Sequence, residues 1–285
     1  MRGFDVRFIV GCELGYRVDA ETTFVFNLQP ARLPRQEIVR EALRVTPDGV
    51  RVQAHTMPES ANRYFRLKAD PGELKVEYEA EVELDLRRDD PTDIPEVALD
   101  ELPFEALPHL YPSRYCEADR LAKLAEAEFG KLARGHARVV GLCNWIYDHL
   151  EYQRGTSDEH TSALVSLVDR QGVCRDFAHL GIALCRSLGI PARFVSGYAW
   201  RLQPPDFHAV FEAYVGGRWY LFDPTRQAAL DGIVRIGVGR DAAEVAFATI
   251  YGTAQPTSMS VHIEPAGGDA GDDVRTADAI SVSDA

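Results

Sequence analysis

The sequence predicts an α+β protein, and three observations carry that prediction. From Phe4 to about Leu86, apolar and polar residues alternate in short runs. Between Ala118 and Leu188, apolar residues instead recur at spacings of three and four. Three further β-like runs follow between Ala192 and Phe222.

The N-terminal stretch reads as a sandwich-like β module of residues 1–90. Thr23-Phe24-Val25-Phe26-Asn27-Leu28 and Leu74-Lys75-Val76-Glu77-Tyr78-Glu79 show the period of two, and about six such strands are expected. Pro47-Asp48-Gly49 and Asp70-Pro71-Gly72 supply turns between them. Residues 91–112 then carry Pro91, Pro95, Pro103, Pro108 and Pro112 among acidic residues, which reads as a linker with one short helix.

Helices are expected at Ala118–Phe129, His136–Leu150, Thr161–Val168 and Cys174–Leu188. Gly189-Ile190-Pro191 stops the last of these, with glycine at the C-terminal position and proline two residues beyond. Strands follow at Ala192–Trp200, His208–Val215 and Arg218–Phe222, the last two joined by Gly216-Gly217 as a two-residue hairpin. Residues 265–285 hold five aspartates, one arginine and almost no large apolar residue, so a disordered acidic tail is expected there.

Composition excludes several classes of function. The 285 residues include 44 acidic against 31 basic side chains, a formal charge of −13, which opposes binding to nucleic acid. No stretch approaches the roughly 20 apolar residues of a membrane span, so no membrane association and a cytoplasmic location are expected. The five cysteines (Cys12, Cys116, Cys143, Cys174 and Cys185) lack paired short spacings, which argues against a disulfide framework or a structural zinc site. A metal set of Cys174, His179, Cys185 and His208 has no familiar ligand spacing either, so neither metal nor other cofactor is expected.

Chemistry concentrates around Cys174. The steps Cys174, Phe177, Gly181, Leu184 and Leu188 put this thiol on the buried stripe of its helix, at the first turn. The free N–H groups and positive dipole end of a helix favour a thiolate there and can stabilise an oxyanion beside it. Gly172, two residues earlier, allows the chain a close approach and leaves room for substrate. In the expected hairpin Val215 faces Arg218, so Val210 falls opposite Asp223, and His208 becomes a diagonal neighbour of Asp223. A thiol, an imidazole and a carboxylate are the parts of nucleophilic acyl transfer: Cys174 attacks, His208 moves the proton, and Asp223 orients the imidazole.

Four segments strengthen this reading. They are Gly172 to Leu180 (GVCRDFAHL), Leu188 to Tyr198 (LGIPARFVSGY), His208 to Tyr214 (HAVFEAY), and Trp219 to Thr225 with Asp223-Pro224 at its end. In this order they resemble the bacterial branch of the transglutaminase-like superfamily, over about residues 135–255. The resemblance implies a papain-like Cys-His-Asp core of helices packed on an antiparallel sheet, here a catalytic domain over 113–264, with the β-rich region often attached in front of it. Two positions depart from that branch: Arg175 stands where Gln is common, and Val210 where Trp is common.

The implied activity is thiol-dependent acyl transfer on a peptide or protein amide. Protease or amidase action is favoured, with glutamine crosslinking and a non-catalytic binding or scaffold role as alternatives. A second oxyanion donor is needed beside the Cys174 N–H, and Gln171 and Tyr152 are the candidates. Tyr198, Trp200, Trp219 and Tyr220 are candidate aromatic walls of the substrate pocket. Asp176 and His179 are expected to serve structure, Asp176 by accepting backbone N–H groups and His179 as a hydrogen-bonded core residue.

Overall fold

The computed structural model describes residues 6–267 and 279–283. Strands come first: β1 (Val6–Val18), β2 (Thr22–Phe26), β3 (Gln36–Thr46), β4 (Gln53–Thr56), β5 (Arg63–Ala69), β6 (Gly72–Leu84) and β7 (Arg87–Asp89). Helices α1 (Ala118–Phe129) and α2 (His136–His149) are followed by the short strand β8 (Glu151–Tyr152), α3 (Ala163–Asp169), β9 (Gln171–Gly172) and α4 (Cys174–Ser187). The chain then forms β10 (Ala192–Ala199), β11 (Phe207–Val215), β12 (Arg218–Phe222), β13 (Ile233–Gly239), β14 (Ala248–Tyr251), β15 (Ala254–Pro265) and β16 (Ala279–Ser281).

Three antiparallel sheets of four strands organise the molecule, in the orders β15-β1-β6-β3, β14-β2-β5-β4 and β12-β11-β10-β13. The α+β class and the six strands of the N-terminal module are observed. The boundary expected at residue 264 needs correction, because β14 and β15 are not part of the third sheet. β14 pairs with β2 and β15 with β1, so the C-terminal stretch closes the N-terminal module. The pattern of alternation within β15 could not reveal a partner more than 200 residues away.

The third sheet is covered on both faces. Phe194, Ala209, Phe211 and Phe222 join a core with α1, α2 and α4, while Val195, Val210, Leu221 and Val234 join a second core with Phe8, Phe24 and Phe65 of the module. Burial on both sides explains why β11 is an almost unbroken apolar run and is buried along its whole length. Helix α4 is likewise buried from Asp176 to Arg186, beyond the single stripe its periodicity predicts, because α1, α2 and α3 pack around it. Gly181 lets it approach β11: a Cβ there would lie 2.6 Å from Phe211 Cε1.

Two further expectations are revised. The 91–112 segment forms three short 3-10 turns, and Leu102 and Ala106 pack in a small cluster with Tyr214 and Trp219, so this linker is docked on the third sheet. In the acidic tail, residues 268–278 lie outside the described residues, but Ala279–Ser281 pairs with β7 and both Ile280 and Val282 are fully buried. The short alternation Ile280-Ser281-Val282 suffices for a strand once β7 offers it an edge.

Candidate active site

Helix α4 begins where its capping groups require. Val173 is extended, its N–H donates to the Asp176 carboxylate at 2.8 Å, and its carbonyl accepts the Asp176 N–H at 2.9 Å. Asp176 is fully buried, and it also accepts the Ser157 hydroxyl and lies 3.5 Å from Arg175 Nε. Arg175 in turn donates to the Asp158 carbonyl, and Tyr115 donates its hydroxyl to the Glu159 carbonyl. Loop 157–159 is thereby held against the first turn that carries Cys174. Gly172 serves this arrangement differently from the expectation. A Cβ there would fall 2.7 Å from Asp176 Cβ, so the missing side chain makes room for the cap.

Cys174 is a free, partly exposed thiol, whereas the other four cysteines are buried. Burial holds the thiols of Cys12, Cys116, Cys143 and Cys185 well above the ordinary range, which makes them inert core residues. The parallel pairing of β8 with β9 sets Tyr152 opposite Gly172 and brings its hydroxyl to the Cys174 N–H and thiol. Burial, and then the nearby Cys174, push the Tyr152 phenol up to about 12, so it stays protonated. Gln171, the other candidate donor, is half-buried on β9 and among the described residues enters no hydrogen bond with Cys174, His208 or Asp223.

The hairpin has the register expected from Gly216-Gly217. Both glycines have positive φ, and pairing runs from Val215 opposite Arg218 to Phe211 opposite Phe222. His208 Nε2 lies 2.9 Å from Asp223 Oδ2. Beside it, the β10–β13 ladder shifts between Ser196 and Gly197, and Gly197 is the cross-strand partner of His208. A bulge of this kind twists the sheet and re-aims side chains at its end. The buried Nδ1 of His208 makes no hydrogen bond, and Cys174 is close enough to favour the imidazolium. Burial alone would lower the His208 pKa; the Asp223 charge and hydrogen bond, aided by Cys174, lift it to about 10.

Asp223 is tied down by three further donors. Its Oδ1 accepts the Thr225 N–H at 2.9 Å and the Thr225 hydroxyl at 2.7 Å, and its Oδ2 accepts the Ala228 N–H at 3.2 Å. Burial opposes the charge, but His208 and Thr225 outweigh it and hold the carboxyl below its usual range. Thr225 was legible as part of an Asp-Pro-Thr turn; Ser157, Tyr115 and Ala228 carry no signal of their own in the sequence.

The aromatic walls are a correction. Tyr198 is fully buried between sheets, with its hydroxyl donating to the Leu28 carbonyl at 2.9 Å. Trp200 packs on Phe8, with ring centroids 5.8 Å apart. Trp219 lies under the Arg193 guanidinium at 4.1 Å and beside Tyr214. Tyr220 donates to Asp89 at 2.9 Å. All four face the module, the linker or β7, whose packing on the sheet no local pattern announces. His179 and Asp176 hold the structural places expected: His179 Nε2 accepts the Ala242 N–H at 3.1 Å, and its ring stacks on Tyr115.

Comparison with known proteins identifies the family. Residues 123–224 match the model of the transglutaminase-like superfamily, and residues 6–104 match that of the bacterial transglutaminase N-terminal domain. The crystal structure of a candidate cysteine protease from Cytophaga hutchinsonii is similar over 97% of both chains, with 40% identity and a TM-score of 0.92. The uncharacterized protein ML0607 of Mycobacterium leprae is 33% identical over 165 residues, and Rv2569c of Mycobacterium tuberculosis 32% over 148 residues. These matches cover 54% and 45% of this chain, and 59% and 47% of the two relatives. With a full-length structural relative at that identity, and family models matched on both halves, the chain belongs to the transglutaminase-like superfamily.

Proposed function

We propose that this protein is a cysteine hydrolase that cleaves amide bonds in peptides or proteins through a thioester on Cys174. The observation that carries the reading is the His208–Asp223 pair at 2.9 Å, with the remaining imidazole nitrogen buried, unpartnered and on a residue that interacts with Cys174. Cys174 has passed its proton to His208 Nδ1, which Asp223 holds as the imidazolium, and Sγ attacks the amide carbonyl carbon. The Cys174 N–H and the protonated Tyr152 hydroxyl stabilise the oxyanion. His208 then gives the proton to the leaving amine as the C–N bond breaks. Water, deprotonated by His208, attacks the thioester; the acid departs and the thiol regains its proton. The likeness to a candidate cysteine protease favours water over an amine as acceptor. The free thiols support a reducing, cytoplasmic setting.

The test compares wild type with Cys174→Ala on a peptide panel, with and without an added primary amine. Acid products lost in the variant support the hydrolase; amine adducts would identify a crosslinking enzyme instead. Iodoacetamide labelling near pH 6 examines the dyad directly. If Cys174 labels no faster than a model thiol, and His208→Ala leaves the rate unchanged, the nucleophile assignment fails.

A further inference from the structure

A second charged cluster lies on the third sheet, outside the proposed catalytic centre. Glu212 is four residues along β11 from His208, about 13 Å at the rise of a strand. It is fully buried and shared by two guanidiniums, with Arg193 Nε at 2.6 Å and Arg235 Nη1 at 3.2 Å. Arg235 is itself 4% exposed, and its Nε is buried with no hydrogen-bond partner. Two cations against one carboxylate leave an excess positive charge in a low-dielectric place, which is costly unless an anion meets it.

The C-terminal segment completes the setting. The Ser283 hydroxyl accepts from Arg193 Nη2 at 3.3 Å and Arg235 Nη1 at 3.0 Å, which leaves its own proton for an acceptor. Next to these groups is a cavity of about 280 Å³, lined by Arg193, Arg235, Ser283, Val282, Arg32 and Glu59 among others. Arg32 is itself a cation, paired with Glu41, and Glu59, the acidic side chain of this lining, is exposed to solvent. Burial, opposed by Glu212 and reinforced by Arg193, pushes Arg235 down to about 10, the direction expected of a guanidinium short of counter-charge.

We propose that this cavity is a carboxylate-binding site, in which one carboxylate bridges Arg193 and Arg235 and accepts the Ser283 hydroxyl. Planar guanidiniums suit a carboxylate in fork geometry. The carboxylate is that of a free acid or of a peptide ligand.

Calorimetric titration of the full chain with sodium acetate, against sodium chloride at the same ionic strength, tests the site. Saturable one-site binding to wild type identifies a free carboxylate as the ligand. Arg193→Lys, which keeps the charge beside Glu212 but loses the fork, weakens acetate binding by about tenfold. Ser283→Ala gives the same direction of change if Arg193→Lys does not fold. Absence of saturable binding, or binding indifferent to these exchanges, overturns the proposal.

Discussion

His208 Nε2 and Asp223 Oδ2 stand 2.9 Å apart, across the open end of a hairpin whose other end is fixed by Gly216 and Gly217. The pairing is a stability element as well as a proposed catalytic one. His208 is raised to about 10 from an unfolded value near 6.5, so the stability it contributes is fully present below about pH 6.5 and is lost as pH rises through about 10. Asp223 is depressed, so its contribution is present above its unfolded value of about 4 and is lost as pH falls below it.

Asp223→Asn should therefore destabilise the fold most near pH 5–6, by about 3 kcal/mol, and progressively less as pH approaches 10. Thermal melts of both proteins across that range check the sign. A difference that grows toward pH 10 would mean that His208 is neutral in the folded protein.

The Tyr152 phenol is the proposed partner of the Cys174 N–H in oxyanion binding. Tyr152→Phe keeps the ring against Phe177, whose centroid is 5.9 Å away, and removes only the hydroxyl. The expected outcome is a fall in kcat of about 100-fold or more with little change in KM, and unchanged Cys174 labelling by iodoacetamide. Steady-state kinetics on a peptide substrate distinguish this from a packing role, in which KM or thermal stability would move instead.

Gly172 supplies the space in which Asp176 caps α4. Gly172→Ala introduces a methyl 2.7 Å from Asp176 Cβ, so either the cap or the β8–β9 pair must shift. A loss of about 1–3 kcal/mol is expected from overpacking, with slower labelling of Cys174 as its helical turn is displaced. Denaturant midpoints and labelling rates measured on one preparation test both effects.

The parts of this site legible in the sequence are those set by local rules. Cys174 at a helix start follows from the periodicity of α4 and its acidic third residue, and the His208–Asp223 meeting follows from a hairpin whose turn admits one register. Asp223 serves the turn and the imidazole together. One oxygen closes the turn on Thr225 and the other holds His208. Tyr198, Trp200 and Trp219 were misread because an aromatic facing a pocket and one facing another sheet have the same local pattern. What decides between them is the module packed on the third sheet for Tyr198 and Trp200, and the docked 91–112 segment for Trp219, contacts between residues far apart in the chain. The same non-local closure hid β14 and β15.

Strand β16 gives the last and simplest test, because composition alone would leave it unstructured. Ile280 is fully buried and lies opposite Arg88 of β7, in a segment that also supplies Ser283 to the paired arginines. Truncating this side chain removes buried methyl groups where the surrounding strands are fixed by their own ladders, so the gap cannot readily collapse. Ile280→Ala should cost about 2–5 kcal/mol, read as a lower denaturant midpoint with unchanged slope. An unchanged midpoint would mean that the segment contributes nothing to the fold and that the cavity beside Arg235 lacks the wall Val282 and Ser283 provide.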